Sequence, residues 1–379
     1  MHRNLASLLV VLAASFPGQA SEIPPLTGSY NVGASKHVID FYNPKDPFAP
    51  HNISTGFMAT LFYPTLQRPC SSCRPYLQPE TAGLMEKAWN FTQGTLAAMT
   101  TAHVQWDAPW LPLKETRLPM PTLVFGPGGG GPPVECYTMI LTELASRGYI
   151  VAGLDHPFEQ PFIRWPNGTG QYGLPADYDG IDERLYGIMH DMRVNETLRF
   201  VEAWPELARS LGVPHANHAG FLESTAVGVF GHSLGGAAAI GAAARASHQV
   251  IASALSLDGG VLNKTDLARP VMNLGQQATV DPSFNPEWTE FARLQTGWMR
   301  AFSVEGTEHH DFDDGAFWKL SGGTSFGAID GMRQLELMNT YLATFFNETM
   351  VREGGGLKDS ILEEETPEWP EVHIVQRNR

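Results

Sequence analysis

A serine stands at the centre of the pentapeptide Gly-His-Ser-Leu-Gly, residues Gly231 to Gly235. The apolar run Val227 to Phe230 precedes it, and a stretch of small residues, Gly236 to Ala244, follows it. Glycine-x-serine-x-glycine between a strand and a helix is typical of a nucleophile elbow, a sharp turn that holds a hydroxyl clear of the sheet. The pentapeptide is weak by itself, since such matches arise by chance in glycine-rich chains. Together with its flanking elements it predicts that Ser233 is a catalytic nucleophile.

A serine nucleophile needs a histidine that accepts its proton and a carboxylate that orients this histidine. After an elbow of this kind the acid and then the histidine follow along the chain, each at the end of a strand. Asp258 follows a buried apolar run and is the first candidate for the acid, and Asp281, after the next run, is the alternative. His309 and His310 both follow the next predicted strand. Adjacent side chains point apart, so at most one of these two can face Ser233.

Acyl transfer also requires two backbone N–H groups that stabilise the developing oxyanion. We expect one from Leu234, the residue after the serine, and the other from the glycine-rich loop Gly126 to Gly131. Glycines allow a backbone to approach a substrate closely. The loop lacks the Lys-Ser/Thr of a P-loop. This absence argues against a phosphate-binding loop, and we predict no cofactor.

The elements that must position these groups alternate between apolar strands and helices. Such alternation predicts an α/β protein with a mostly parallel central sheet and helices on both faces. The predicted strands are Thr55 to Tyr63, Pro121 to Phe125, Tyr149 to Leu154, Val227 to Phe230, Ile251 to Leu257, Pro270 to Leu274 and Met299 to Val304. The predicted helices are Glu80 to Met99, Tyr137 to Arg147, Ile181 to Leu211 with a break or kink at Pro205, and Gly331 to Asn347.

The amino terminus has the pattern of a secretory signal. Residues 1–20 combine Arg3, an apolar core too short to span a bilayer, and small residues at the end. We expect residues 21–352 to form one domain that begins with an extended arm, 21–55. Residues 353–379 are expected to be an acidic, flexible tail. The formal net charge of −15 disfavours nucleic-acid binding, and no apolar run is long enough for a transmembrane segment.

Sequons and cysteines agree with an oxidising, glycosylating compartment. Cys70 and Cys73 predict a local disulfide, because no second pair exists to complete a zinc site. Cys136 is expected to be a buried free thiol, with an alternative bridge left open. Candidate glycosylation sites are Asn52, Asn90, Asn167, Asn195, Asn263 and Asn347. We predict no bound metal.

With these residues placed, the chain resembles the secreted platelet-activating-factor acetylhydrolase family and, more distantly, cutinase-like polyester hydrolases. The resemblance spans about Ile23 to Asn347. It is carried by Pro25 to Gly33, Leu61 to Pro64, Leu123 to Gly129, Glu143 to Tyr149, Gly231 to Gly236, Leu257-Asp258, and His309 with Phe312 and Asp314. One difference lies in the glycine-rich loop, where Pro127 replaces a histidine that is usual in the family.

This resemblance implies an α/β-hydrolase fold and a calcium-independent serine esterase. The implied substrates are phospholipids with short or oxidised sn-2 acyl groups, as in the 1-alkyl-2-acetylglycerophosphocholine esterase and phospholipase A2 class. It also implies the catalytic set Ser233, Asp258 and His309, with Gly129 and Leu234 as oxyanion donors. A general or polyester esterase is the alternative. A binding protein without turnover on the same scaffold is the alternative outside enzymes. Lipid-surface association and the oligomeric state are left open.

Overall fold

The computed structural model describes residues 22–69, 74–101, 103–115, 120–176, 178–214, 216, 226–351 and 361–378. The predicted signal peptide and the Cys70–Cys73 pair lie outside these ranges. Cys136 is described, and it is buried as a free thiol. Among the described helices, none combines the length and the apolar character needed to span a bilayer.

A ten-stranded sheet forms the centre of the described part of the chain. Its order is β14-β13-β12-β11-β10-β6-β7-β2-β1-β5, where the sheet strands are β1 (Asn31–Asn43), β2 (Ser54–Thr65), β5 (Val104–Trp106), β6 (Thr122–Gly126), β7 (Ile150–Asp155), β10 (Val227–His232), β11 (Ile251–Leu257), β12 (Val271–Gln276), β13 (Met299–Val304) and β14 (Val372–Arg377). The run from β7 through β6 and β10 to β13 is parallel throughout. Two short pairs complete the strands, β3 (Arg74–Pro75) with β4 (Thr100–Thr101) and β8 (Phe162–Arg164) with β9 (Gly170–Tyr172).

Helices cover both faces of this sheet. They are α1 (Pro79–Ala88), α2 (Thr138–Ser146), α3 (Glu183–Ser210), α4 (Leu234–Arg245), α5 (Gln277–Val280), α6 (Glu287–Leu294), α7 (Gly315–Trp318) and α8 (Gly331–Phe346). Successive side chains of β6 point to opposite sides. Leu123 and Phe125 belong to the core under α2 and α8, whereas Val124 belongs to the core under α3 and α4. The predicted fold class, an α/β-hydrolase sheet with helices on both faces, is confirmed.

Parallel strands bring their carboxyl ends to one edge of the sheet. The predicted glycine-rich loop follows β6, the elbow follows β10, and Asp258 follows β11. The segment that carries His309 and His310 follows β13 and forms a short 3-10 helix, His309–Phe312. The segments that carry the predicted catalytic groups therefore all begin at this edge of the sheet.

The prediction of a flexible carboxyl-terminal tail is wrong for residues 361–378. Strand β14 pairs antiparallel with β13, and the side chains of Leu362, Trp369 and Val372 are buried in the core. The acidic residues between them gave this segment the composition of a disordered tail. The segment is nevertheless ordered, because its three apolar side chains are buried. The free energy gained by burying them offsets the conformational entropy that the segment loses.

Two other boundaries differ from the prediction. The extended arm is part of the sheet, since β1 pairs with β2 along almost its whole length. The helix predicted over Glu80 to Met99 ends at Ala88, because Asn90 adopts a positive φ of 55°. The Glu86 carboxylate then accepts backbone N–H bonds from Gly94, Leu96 and Ala97. Helix α3 continues through Pro205 and ends five residues later.

Candidate active site

Ser233 occupies a strained turn between β10 and α4. Its backbone has φ 54° and ψ −122°, a region that residues with a side chain rarely adopt. The Ser233 N–H is bound to the carbonyl of Leu257 at 2.8 Å. A Cβ at Gly231 would overlap Gly235, and a Cβ at Gly235 would overlap Gly126. The two glycines are therefore required by close packing of the elbow against the loop that follows β6.

Asp258 and His309 form a hydrogen-bonded pair beside this turn. The distance between Asp258 Oδ2 and His309 Nδ1 is 2.5 Å. The Asp258 side chain is fully buried, and the His309 side chain is 38% exposed. Gln276 fixes the carboxylate by donating its backbone N–H to Oδ1 at 2.8 Å and its side-chain amide to Oδ2 at 3.0 Å. The imidazole is thus anchored at Nδ1, while part of its ring remains accessible.

Two opposing effects act on the pKa of His309. Burial lowers this pKa, while the hydrogen bond and the negative charge of Asp258 raise it, with a smaller contribution from Asp313. The raising effects win, so the pKa of His309 lies above its ordinary value. The pair can therefore stabilise the imidazolium that forms when a histidine accepts a proton.

The nucleophile turn and the acid turn pack against each other. A Cβ on Gly259 would overlap the Ser233 carbonyl oxygen, because β10 and β11 are adjacent strands. Within the described residues, the Ser233 hydroxyl forms no hydrogen bond to an imidazole. The structure thus brings Asp258 and His309 together near the elbow, and the proton-transfer contact with Ser233 stays a prediction.

The two alternative residues have other partners. His310 Nδ1 bonds to Asp313 Oδ2 at 2.8 Å, and its ring packs on Trp89 with 4.5 Å between centroids. Asp281 accepts the backbone N–H of Ser283 at 2.8 Å and contacts no histidine in the described part of the chain. His310 is thus paired with a carboxylate other than Asp258, and Asp281 is paired with no histidine within the described residues.

The two residues that are predicted to supply the oxyanion donors pack against each other. Leu234 is the first residue of α4, so its N–H has no acceptor within the helix. Gly129 packs against Leu234, since a Cβ on Gly129 would lie 2.6 Å from Leu234 Cδ2. The N–H of Gly129 has no acceptor among the described residues, while its neighbours Gly128 and Gly130 donate to side chains. This leaves two unused donors next to the nucleophile.

Sequence reasoning missed a hydrogen-bonded chain that passes through His232. The Gly128 N–H donates to Tyr137 Oη at 3.1 Å, Tyr137 Oη is 2.9 Å from His232 Nδ1, and His232 Nε2 is 3.1 Å from the His309 carbonyl. These contacts are all satisfied by a neutral His232 with its proton on Nε2. Burial and the neighbouring histidines hold the pKa of His232 well below its usual value, in agreement with that state.

Sequence reasoning also missed the ion pair between Arg193 and Glu159. The side chains of these residues are 1% and 0% exposed. Both contact the loop that carries Gly129. A signal did exist, because Arg193 is four residues after Met189 on the apolar side of α3. A charged residue in such a stripe indicates a buried partner.

Comparisons with known proteins point to the same fold and to esterases. The family described as platelet-activating factor acetylhydrolase, isoform II, matches residues 15–160. A protein of Arthroderma benhamiae named "Probable 1-alkyl-2-acetylglycerophosphocholine esterase" is 24% identical over 277 residues. That alignment covers 67% of this chain and 65% of the relative, so this chain spans slightly less than two thirds of the relative's length.

A solved structure is similar over nearly the whole chain. The ferulic acid esterase from Streptomyces cinnamoneus is 25% identical and superposes with a TM-score of 0.73. The superposition covers 94% of this chain and 100% of that one. The fold and the comparisons lead to one conclusion: the chain is an α/β-hydrolase of the esterase type, similar to the platelet-activating-factor acetylhydrolase family.

Proposed function

We propose that this protein is a serine carboxylic-ester hydrolase that acts through an acyl-enzyme at Ser233. The observation that carries the proposal is the bond of 2.5 Å between Asp258 and His309, next to a strained serine. A buried carboxylate that fixes a half-exposed imidazole is the arrangement by which serine hydrolases generate a base. The two N–H groups of Gly129 and Leu234 supply the matching electrostatic component.

In the proposed mechanism, His309 Nε2 accepts the proton of Ser233 as the hydroxyl attacks the ester carbonyl. Asp258 holds the proton on Nδ1 and stabilises the imidazolium. The tetrahedral oxyanion is bound by the N–H groups of Leu234 and Gly129. His309 then donates its proton to the departing alcohol, and a water molecule releases the acid by the reverse sequence.

The preferred substrate class is a phospholipid with a short or oxidised sn-2 acyl group. The matching family and the curated relative both have names from this class. We include secretion in the proposal, supported by the amino-terminal sequence pattern, and glycosylation at some of the sequons. The six sequon asparagines are Asn52, Asn90, Asn167, Asn195, Asn263 and Asn347, of which all but the half-buried Asn263 are exposed.

A broader carboxylesterase is the second candidate. The observation that favours it is the superposition on a ferulic acid esterase, which covers more of this chain than the curated relative does. Such an enzyme shares the Ser233 chemistry and differs in the acyl and alcohol groups that it accepts. Only turnover on defined esters separates the two.

A substrate panel tests the proposal. We expect the purified chain to hydrolyse a short sn-2 acyl phospholipid with a larger kcat/KM than p-nitrophenyl butyrate, methyl ferulate or a polyester film. Ser233→Ala should lower kcat on every active substrate by about 10³- to 10⁶-fold, since the nucleophile is lost. Preference for ferulate or polyester would support the second candidate. Equal, negligible turnover by wild type and Ser233→Ala would support a binding protein instead.

A further inference from the structure

The loop that carries Gly129 is held by one buried ion pair. Arg193, on α3, donates from Nη1 to the Pro127 carbonyl at 2.8 Å and from Nη2 to the Gly128 carbonyl at 3.0 Å. Its Nε also donates to Glu159 Oε2 at 2.9 Å. Glu159 Oε1 in turn accepts the Gly130 N–H at 2.9 Å. The two side chains therefore bind Pro127, Gly128 and Gly130, the residues on both sides of the predicted oxyanion donor Gly129.

These contacts fix the direction of the Gly129 N–H. A trans peptide is planar, so its C=O and N–H point in opposite directions. Because Arg193 binds the Gly128 carbonyl, the N–H of the same peptide, which belongs to Gly129, points away from the guanidinium. The bond from Gly130 to Glu159 orients the next peptide. Both peptide units that flank Gly129 are thus set by the ion pair.

Glycine needs such an external constraint. Gly128, Gly129, Gly130 and Gly131 are consecutive, and glycine has the largest backbone freedom of any residue. Gly130 adopts a positive φ of 61°. A donor that must be preorganised before the oxyanion forms cannot rely on this backbone alone. The planar fork of arginine suits the task, because it binds two carbonyls and a carboxylate at once.

A contribution to folding stability is a weak explanation for the presence of this buried ion pair. Removing two charges from water is costly, and buried pairs of this kind are often replaceable by apolar side chains without loss of stability. The Arg193–Glu159 pair is 1% and 0% exposed, so this cost applies in full. We propose that Arg193 and Glu159 are positioning residues that hold the Gly129 N–H toward the oxyanion. This inference rests on the proposed function.

Arg193→Lys and Glu159→Gln test it in the full-length chain. Lysine keeps the charge opposite Glu159 but has no fork for two carbonyls, and glutamine keeps an acceptor for the Gly130 N–H. We expect kcat on p-nitrophenyl butyrate to fall on the order of 10- to 100-fold in Arg193→Lys, below the loss for deleting an oxyanion donor. KM should stay within about 2-fold. The inhibition constant of butaneboronic acid, whose adduct places an oxygen in the oxyanion site, should rise by the same factor as kcat falls.

Arg269→Lys is the matched control. Arg269 is also buried and donates to the backbone carbonyls of Leu267, Ile251 and Ala246. It lies at the amino ends of β11 and β12, the opposite edge from Ser233. This variant should lose thermal stability and keep the wild-type kcat and boronate affinity at temperatures where it is folded.

Each outcome has a defined meaning. Wild-type kcat and boronate affinity in folded Arg193→Lys and Glu159→Gln would overturn the positioning role and leave the esterase proposal intact. A lower thermal stability of Arg193→Lys, with kcat and boronate affinity changed no more than in Arg269→Lys, would assign the pair to folding only. If Arg193→Lys does not fold, by circular dichroism, the Glu159→Gln result decides. A wild-type chain that neither hydrolyses esters nor reacts at Ser233 would remove the proposed function and this inference with it.

Discussion

At the scale of single residues, the site depends on how one imidazole is held. His309 and His310 are neighbours in sequence, yet each binds a different carboxylate, Asp258 and Asp313. From the sequence, the catalytic acid could be limited to Asp258 or Asp281 and the base to His309 or His310. This was possible because the carboxyl ends of the apolar strands can be recognised. The sequence could not show that Gln276 would fix Asp258, since that contact depends on how β11 and β12 align.

The pKa of His309 gives a prediction at this scale. A base must be neutral, so wild-type kcat/KM should rise with pH through a midpoint above 6.5, the unperturbed value. Asp258→Asn removes the charge that raises this pKa and leaves burial, which lowers it. We expect the midpoint to move down and the plateau to fall on the order of 10³- to 10⁴-fold. Initial rates across pH 5–9 provide the measurement, and a midpoint that Asp258→Asn does not move would contradict the assignment.

At the scale of elements, the carboxyl edge of the sheet positions the predicted catalytic groups. Strands β6, β10 and β11 are adjacent, so the glycine-rich loop, the elbow and the acid meet without long connections. Apolar runs between glycines predicted these strands well. The ends of helices were harder to predict: Glu80 to Met99 looked helical throughout, but the chain leaves the helix where Glu86 accepts three backbone bonds.

Close packing at the elbow predicts which glycines are indispensable. A Cβ at Gly235 would overlap the Gly126 backbone, so Gly235→Ala should lower the free energy of unfolding by about 2–3 kcal/mol or more. Gly83→Ala is the control, because Gly83 is exposed inside α1 and no atom lies within 4 Å of the added Cβ. That change should stabilise by up to about 1 kcal/mol through helix propensity. Urea unfolding measures both, and a neutral Gly235→Ala would show that the elbow packs less tightly than described.

At the scale of the whole molecule, segments from both ends of the described chain complete the sheet. Strand β1 joins through β2, and β14 joins the opposite side through β13. The sequence suggested an arm and a flexible tail at these places, because local composition does not reveal pairing with a strand far away in the chain. Arg333 of α8 makes such distant contacts with the carboxyl-terminal segment. Its guanidinium lies 3.9 Å from the ring centroid of Trp369, and its Nε binds Glu371.

Trp369→Ala tests the structural role of the carboxyl-terminal segment. Trp369 is 2% exposed and contacts Arg333 and Tyr341. Loss of this buried ring should cost about 3–5 kcal/mol of unfolding free energy. Phe284→Ala is the control, because Phe284 is 64% exposed and should change stability by no more than about 0.5 kcal/mol. Equal urea midpoints for the two variants would mean that residues 361–378 contribute little to the fold.

The central claim is that Ser233 is a nucleophile activated by His309. The direct measurement is labelling with a fluorophosphonate, followed by mass spectrometry of the peptides. We predict one adduct, on the Ser233 peptide, in wild type and in His310→Ala, with none in Ser233→Ala and strongly slowed labelling in His309→Ala. An adduct that persists in Ser233→Ala, no adduct in wild type, or a requirement for His310 in place of His309 would contradict the account.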